Sequence, residues 1–425
     1  MNEAKRVLFT KEMKRDYTIL VPTMLPIHFR LIAEILRLDG FTVEVLDTSG
    51  RGVTEKGLHY VHNDACYPAI LVIGQLLDAL ESGKYDPNKC ALMLMQTGGG
   101  CRASNYISLL RKALESAGYA HVPVISFNFV GIEKNPGFQL GLRTLKRMVY
   151  GVLYGDLLMT MSQRCRPYER FPGATQQLVL QWTDRLVAGM QERGGLSYRK
   201  VKENYAAIVR DFAALERSKE QKVRVGIVGE IFVKFSPLGN NHLEDLLIAE
   251  GAEPVMPGLL DFCLYTVCNG IYDTKLYGIR RFAGLINAAA YRFLHAKQRD
   301  LIAAIRENSD FQPMTDFDRT RRLVDGYIGV GAKMGEGWLL TAEMLELIES
   351  GTNNIVCAQP FGCLPNHIVG KGVMKRIREM HPQANLVAID YDPSATEINQ
   401  ENRIKLMLAN AARLQEKPAS ADQIS

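Results

Sequence analysis

Apolar residues along the chain fall into short runs separated by longer stretches of helical spacing. "YTILVPTM" (17–24), "FTVEVLD" (41–47), "CALMLMQ" (90–96) and "VPVISFN" (122–128) are runs rich in Val, Ile, Leu and Met, as expected of strands covered on both faces. Between the first two, "PIHFRLIAEILRLDG" (26–40) repeats its apolar residues at helical spacing, with Pro26 at its start and Gly40 at its end. A turn-rich stretch leads to "DACYPAILVIGQLLDALESG" (64–83), a helix opening at Pro68; "YISLLRKALESAG" (106–118) is another. This alternation predicts a parallel sheet with helices on both faces.

From about 137 to 218 the pattern turns helical and more charged, without strand signal. A second α/β block follows: strand "VRVGIVGE" (223–230), loop "FSPLGNN" (235–241), helix "HLEDLLIAEG" (242–251) and short strand "AEPVM" (252–256). After a helical excursion come strand "NNIVCAQP" (353–360), a helix from about 366, strand "ANLVAIDYD" (384–392) and a terminal helix. The expected fold class is α/β, with two Rossmann-like parallel-sheet lobes, helical connecting regions and an interlobe cleft. The boundaries read as an N-terminal α/β lobe over 1–136, a helical connector over 137–220, and a C-terminal α/β lobe over 221–425 with a helical insertion at about 257–350.

Composition narrows the partners. The formal charge of +5 over 425 residues is small, and no basic run is interleaved with aromatics, so nucleic acid is not an expected partner. No apolar run reaches the roughly 18 residues needed to span a bilayer, and the start resembles no signal peptide, so no membrane partner and a cytoplasmic location are expected. Eight cysteines in such a chain are not expected to pair as disulfides. No C-x-x-C occurs, which argues against a zinc ribbon and a thiol oxidoreductase alike.

Ligands of open α/β sheets bind beyond the carboxyl ends of the strands, and that rule sorts the cysteines. Cys101 follows a strand through "QTGGG", where Gly98, Gly99 and Gly100 let the backbone come close to a cofactor. Cys66 stands just before the helix that opens at Pro68, and Cys363 lies in "PFGCLPN", past the end of strand 353–360. All three share one address, a strand-to-helix loop or helix start, among Gly, Pro and Asn, where a core cysteine has little reason to be. Cys90, Cys263, Cys268 and Cys357 read as packing residues. Cys165, between Arg164 and Arg166, reads as an incidental thiol of lowered pKa, with a ligand role left open.

Soft thiolates from three separate loops suit an iron–sulfur cluster better than a hard cation. Three leave one iron of a cubane open to another ligand; zinc on three cysteines is the bland alternative. Arg102 and Asn105, in the first turn after Cys101, are placed to stabilise a reduced cluster, and His367 and Lys371 to donate to sulfides or to an anionic substrate. A solvated helix face accounts for the last two equally well. Glu230, at the end of strand 223–230, is the candidate proton-handling carboxylate. "YIGVGAKMGEGWLL" (327–340) holds Gly329, Gly331, Gly335 and Gly337, read as a flexible turn or as a close backbone approach to a cofactor or partner.

The stretches "NDACYPAILVIGQLLDALESGKYDP", "MQTGGGCRASNYISLLRKAL", "VGEIFVKFSPLGNNHLEDLL" and "QPFGCLPNHIVGKG" resemble the dehydratase-type component of the 2-hydroxyacyl-CoA dehydratase and benzoyl-CoA reductase superfamily. The branch they resemble is related to the C-terminal region of large CoA-substrate-specific enzyme activases. The resemblance runs from about 17 to 412. It implies two Rossmann-like domains and a 4Fe-4S cluster held by Cys66, Cys101 and Cys363; "FGCLP" fits the family's aromatic–Cys–x–Pro pattern better than "IVCAQ" around Cys357 does. It also implies a partner, an ATP-dependent activator of actin/Hsp70-like fold that injects a low-potential electron. A homo- or heterodimer and an acyl-CoA substrate are further implications. The activator's phosphate-binding segments and a P-loop are absent, so this chain is not expected to bind ATP itself.

The expected function is therefore an iron–sulfur protein of an ATP-driven electron-transfer system, a lyase of the 2-hydroxyacyl-CoA dehydratase kind or a reductase. The alternatives are a non-catalytic iron–sulfur or scaffold subunit assembling with a large activase, and a reductase of small molecules carrying a double-cubane cluster.

Overall fold

The computed structural model describes residues 6–62, 64–97, 100–127 and 133–416. Strand β1 (Thr18–Pro22) lies between β2 (Thr42–Leu46) and β3 (Cys90–Met95), with β4 (Val124–Phe127) beyond β3. All pairings are parallel, with Val21 opposite Val45, Leu20 opposite Leu92 and Met93 opposite Ile125. The second sheet repeats the arrangement: β5 (Val223–Gly229) lies between β6 (Ala252–Val255) and β7 (Asn354–Pro360), with β8 (Asn385–Tyr391) beyond β7. The chain is thus a mixed α/β protein with two four-stranded parallel sheets. No described helix is long and apolar enough to cross a membrane.

The strands fall where the apolar runs predict them, because the inner strands bury nearly every side chain: β7 covers all residues from Ile355 to Pro360. The turn-rich stretch before residue 64 is different. It holds a helix, Arg51–Tyr60, that packs against the helix Tyr67–Glu81. Gly57 and Gly74 make that crossing close: a Cβ on Gly57 would sit 2.1 Å from the Ile70 carbonyl oxygen, and one on Gly74 2.2 Å from that of Val53. The same glycines weaken the helical signal in the sequence. The predicted loop 235–241 is likewise partly helical, with turns Ile231–Phe235 and Pro237–Asn240.

The connector supplies helices Leu142–Cys165, Ala174–Gly189 and Tyr198–Ala213. They do not merely link the sheets. Their apolar faces share one core with the later helical insertion, in which Tyr154, Trp182 and Tyr205 pack with Tyr265, Leu301 and Trp338. A second core runs between the sheets, joining Leu92 and Ile70 to Val233, Leu238 and Tyr391.

Asp156 pins the three parts together. Its carboxylate accepts from His28 Nε2 at 2.8 Å and from the backbone N–H groups of Leu259 and Leu260, both at 2.8 Å. His28 belongs to the helix Pro26–Leu38, and the two leucines open the helix Leu259–Tyr277. Only glycine fits at 258, since a Cβ there would lie 2.5 Å from the Asp156 carboxylate.

Candidate functional site

Cys66, Cys101 and Cys363 each occupy the residue or turn that opens a helical segment, Cys101 and Cys363 after strands β3 and β7 and Cys66 after the helix Arg51–Tyr60. Cys66 is extended (φ −66°, ψ 146°) before the helix Tyr67–Glu81, and Cys101 (φ −77°, ψ 143°) before the turn Arg102–Asn105 and the helix Tyr106–Ser116. Cys363 precedes a widened turn, Asn366–Gly370, in which the His367 N–H reaches the Cys363 carbonyl at 3.3 Å. Widened turns of this kind concentrate at functional positions.

The topology brings the three together from both sheets. The Tyr67 N–H donates to the Phe361 carbonyl at 3.0 Å, and Gly362, at φ +74°, would place a Cβ 3.1 Å from the Cys66 Cα. Cys66 and Cys363 thus stand on two loops in direct contact. Arg102 ties the third loop to them by donating to the Asp64 carbonyl at 2.7 Å. Cys66 is close enough for its charge to raise the Cys101 pKa, and both thiols feel Glu230.

The glycine-rich segment 327–340 lies against the Cys101 and Cys363 loops. The Gly100 N–H points at Met334 Sδ, 3.2 Å away, and a Cβ on Gly335 would lie 3.3 Å from Pro365 and 3.9 Å from Cys101 Sγ. Tyr265 holds the segment by donating to the Lys333 and Gly335 carbonyls, 2.8 and 2.9 Å away. Gly337, at φ +47°, leaves no room for a Cβ, which would meet the Ala332 oxygen at 2.3 Å.

That segment delivers Glu336, which the sequence reading did not select. Its carboxylate accepts from the Ile231 N–H at 2.9 Å, beside Glu230, whose own carboxylate caps the same short helix by accepting from the Val233 N–H at 2.9 Å. Burial and the charge of Glu336 push Glu230 up to about 8, and burial raises Glu336 as well. At neutral pH the pair holds at least one proton. Two further residues were not foreseen. The Tyr106 hydroxyl lies 2.9 Å from Cys66 Sγ, and the fully buried Asn366 directs its Nδ2 at Cys363 Sγ (3.7 Å) while its Oδ1 receives Cys357 Sγ (3.8 Å). The signals were present but faint: Glu336 stands between two glycines, and Asn366 follows "CLP".

Burial raises all three thiols, Cys101 to about 11. The other predicted residues divide. Gly98 and Gly99 lie outside the described residues, while Gly100 lines the pocket against Met334. Arg102 is exposed and lowers the Cys66 pKa by its charge, against the larger effect of burial. Asn105 is exposed and makes no capping hydrogen bond. His367 is exposed, with its ring held by Gln359 at 2.6 Å, and Lys371 pairs with Asp390 at 3.6 Å, so neither is directed at a sulfur. Cys165 departs from expectation. It is fully buried and pushed up to about 12 by burial, which outweighs the charge of Arg217. Cys357 is also fully buried, inside β7.

A raised carboxyl in the pocket has a consequence for stability. Glu230 has a folded pKa above its unfolded one, so its contribution is full below about 4.5 and is lost as pH rises through about 8. The melting temperature of metal-free protein is expected to fall across that window. Glu230→Gln, which keeps the cap on Val233, is expected to flatten the fall; an unchanged slope in differential scanning calorimetry contradicts the assignment.

A single zinc ion draws its sulfurs to within about 4 Å of one another, since each Zn–S bond is about 2.3 Å. Among the described residues the one trio of His, Cys, Asp or Glu that close is His295, Asp316 and Asp318. That trio is a hydrogen-bonded network, with Asp316 on His295 at 2.8 Å and both Tyr291 and the Arg321 guanidinium on Asp318 at 2.7 Å. Cys66, Cys101 and Cys363 do not form such a close trio. Three soft donors also share a pocket with two carboxyls and a phenol, while the nearby Lys234 is engaged by Glu343 at 2.9 Å. A positively charged cluster core would ionise the thiols that burial keeps neutral. The donor types, three thiols, are those such a group takes.

No protein-family model matches the chain, and no curated protein matches it.

Proposed function

We propose that the chain is an iron–sulfur protein of an ATP-driven low-potential electron-transfer system, with Cys66, Cys101 and Cys363 holding a 4Fe-4S cluster between two Rossmann-like lobes. The observation that carries this reading is that the loops of three helix-start cysteines touch, the Cys66 loop contacting that of Cys363 through Tyr67 and Phe361 and that of Cys101 through Arg102 and Asp64. The strand orders β2-β1-β3-β4 and β6-β5-β7-β8 support the lobe assignment, with Cys101 following β3 and Cys363 following β7. The resemblance to the 2-hydroxyacyl-CoA dehydratase superfamily supports it too.

When bound, the cluster would supply one-electron chemistry and an iron site free of protein thiolate. The chain's own residues do the rest. The Gly100 and Gly335 backbones close the pocket around the sulfurs and restrict water. The Glu230–Glu336 pair holds a proton at neutral pH, available to a substrate oxygen or to water. Asn366 and Tyr106 offer N–H and O–H donors to sulfur, an arrangement that raises the potential of a cluster ligated by those sulfurs. On this account Cys357 has a job despite its burial: it holds the Asn366 amide with Nδ2 toward Cys363.

Asn366→Asp places an anion where that donor stands. It is expected to lower cluster occupancy about 10-fold or shift the cluster potential to more negative values. Cys357→Ser, which keeps a donor, should do less than Cys357→Ala. Equal potentials in all three variants would remove the assigned role.

The reading is tested by mixing anaerobically purified protein with an ATP-dependent activator of actin/Hsp70-like fold. Cluster reduction that needs both activator and ATP supports it. A cluster that forms but never accepts an electron, and turns over neither an acyl-CoA nor a small oxidant, favours the scaffold alternative.

A further inference from the structure

The helical insertion carries an arm whose base holds the glycine-rich segment through Tyr265, whose tip lies beside Gly331, and whose outer face the cysteine site does not use. Helix Leu259–Tyr277 turns at Gly278 (φ +68°) into helix Arg281–Asn308, and the two pack through glycines. A Cβ on Gly284 would meet Thr274 Oγ1 at 2.4 Å, and one on Gly270 would meet Asn287 Nδ2 at 2.0 Å. Residues 275–282, at the tip, are all exposed.

The tip is apolar. Leu276, Tyr277 and Ile279 are about half exposed, and on the second helix Phe282 is 77% and Leu285 71% exposed, with Ile286 and Phe293 also out in water. At 100° per residue, positions 282, 285, 286, 289 and 293 fall within an arc of about 100°, a single stripe. Large aromatic and aliphatic side chains contiguous in water mark a surface that is covered in use.

Its charge has one sign. From Thr274 to Arg299 there is no Asp or Glu, while there are six Lys and Arg, against a net +5 for the whole chain. Arg281, Arg292 and Arg299 lie about 80–100° to one side of Phe282, a row about 27 Å long beside the stripe. Lys275, Arg280 and all three of these arginines form no ion pair among the described residues. Lys297, on the other flank, lies over the rings of Tyr198 and Phe293.

We propose that this arm docks the protein peripherally on an anionic lipid surface, with the stripe 282–293 and the tip 276–279 entering the headgroup boundary and the arginine row meeting lipid phosphates. An amphipathic helix with aromatic and aliphatic residues on one face and unpaired cations beside them binds such interfaces. A protein partner is the less fitting occupant, because protein interfaces set register with charges of both signs and the arm carries one. A second copy packed antiparallel on the stripe would bring one arginine row against the other. The expectation that no membrane partner exists rested on the absence of spanning segments, and the arm spans nothing.

The test uses the full chain and sedimentation with vesicles of phosphatidylcholine alone or with about 30% phosphatidylglycerol, where each basic residue near the surface adds about 1 kcal/mol. Binding to the anionic vesicles only, weakened by salt, is expected. Arg281→Glu/Arg292→Glu and Phe282→Ser/Leu285→Ser should each reduce it at least about 10-fold. These side chains face water, so both variants should keep the wild-type melting temperature. Absence of binding, equal binding to phosphatidylcholine alone, or variants that bind as wild type would overturn the proposal. So would a dimer in light scattering that Phe282→Ser/Leu285→Ser converts to monomer, since the stripe would then belong to an interface between copies.

Discussion

Replacing Cys66, Cys101 or Cys363 with alanine, one at a time, is expected to reduce the iron content of anaerobically purified protein at least about 10-fold, the lower bound set by what even outer-shell changes cost at metal sites. Cys90→Ala is expected to keep full iron. Cys90 is buried at the start of β3, and its neighbours are core residues. The comparison of greatest interest is Cys357 with Cys363. They lie six positions apart, and Asn366 touches both, yet Cys357 sits inside β7 and only Cys363 lies on the loop that contacts Cys66. Cys357→Ala should therefore retain most of its iron. Loss of iron there, with retention in the Cys363 variant, would reverse the ligand assignment. Iron analysis with melting temperatures separates lost ligation from lost folding.

The second large effect concerns the ion pair beneath the pocket. Lys234 is nearly fully buried and donates to both oxygens of Glu343, at 2.9 and 3.1 Å, while its ammonium lies 4.5 Å from the Phe235 ring centroid. Removing one partner leaves the other charge buried and unpaired, which costs about 3–5 kcal/mol. Lys234→Met is expected to lose that much in urea unfolding, and Glu343→Leu a comparable amount. The double variant should recover most of the loss, because two apolar side chains need no counter-charge. Losses that simply add would show that the two residues act independently. Lys234 also draws the carboxyls of Glu230 and Glu336 toward ionisation, so its removal should raise the pH at which the pocket releases its proton.

The parts of this account that could be read in the sequence are those governed by local rules. Strands buried on both faces appear as apolar runs, and Cys66, Cys101 and Cys363 stood out by standing among turn residues at helix starts. Glu230 was visible as the residue that leaves β5. What escaped depends on contacts between distant segments. The helix Arg51–Tyr60 hides behind glycines whose purpose is its crossing with the helix Tyr67–Glu81. Glu336 looks like one charge in a flexible turn until Tyr265, far along the chain, fixes the carbonyls around it. The connector and the insertion read as two separate helical regions, but their apolar faces share a single core. Cys165 shows the limit most clearly: the arginines beside it in sequence predict a lowered pKa, and burial against Phe212 raises it instead.

The central claim is that three cysteines from two sheets hold one cluster, and the most direct measurement is iron and acid-labile sulfide per chain in protein purified without oxygen, read together with its EPR spectrum after reduction. The account predicts about four irons and four sulfides per chain, with the spectrum of a reduced 4Fe-4S cluster. One equivalent of zinc, or no metal with Cys66, Cys101 and Cys363 all recovered as free thiols, would contradict it.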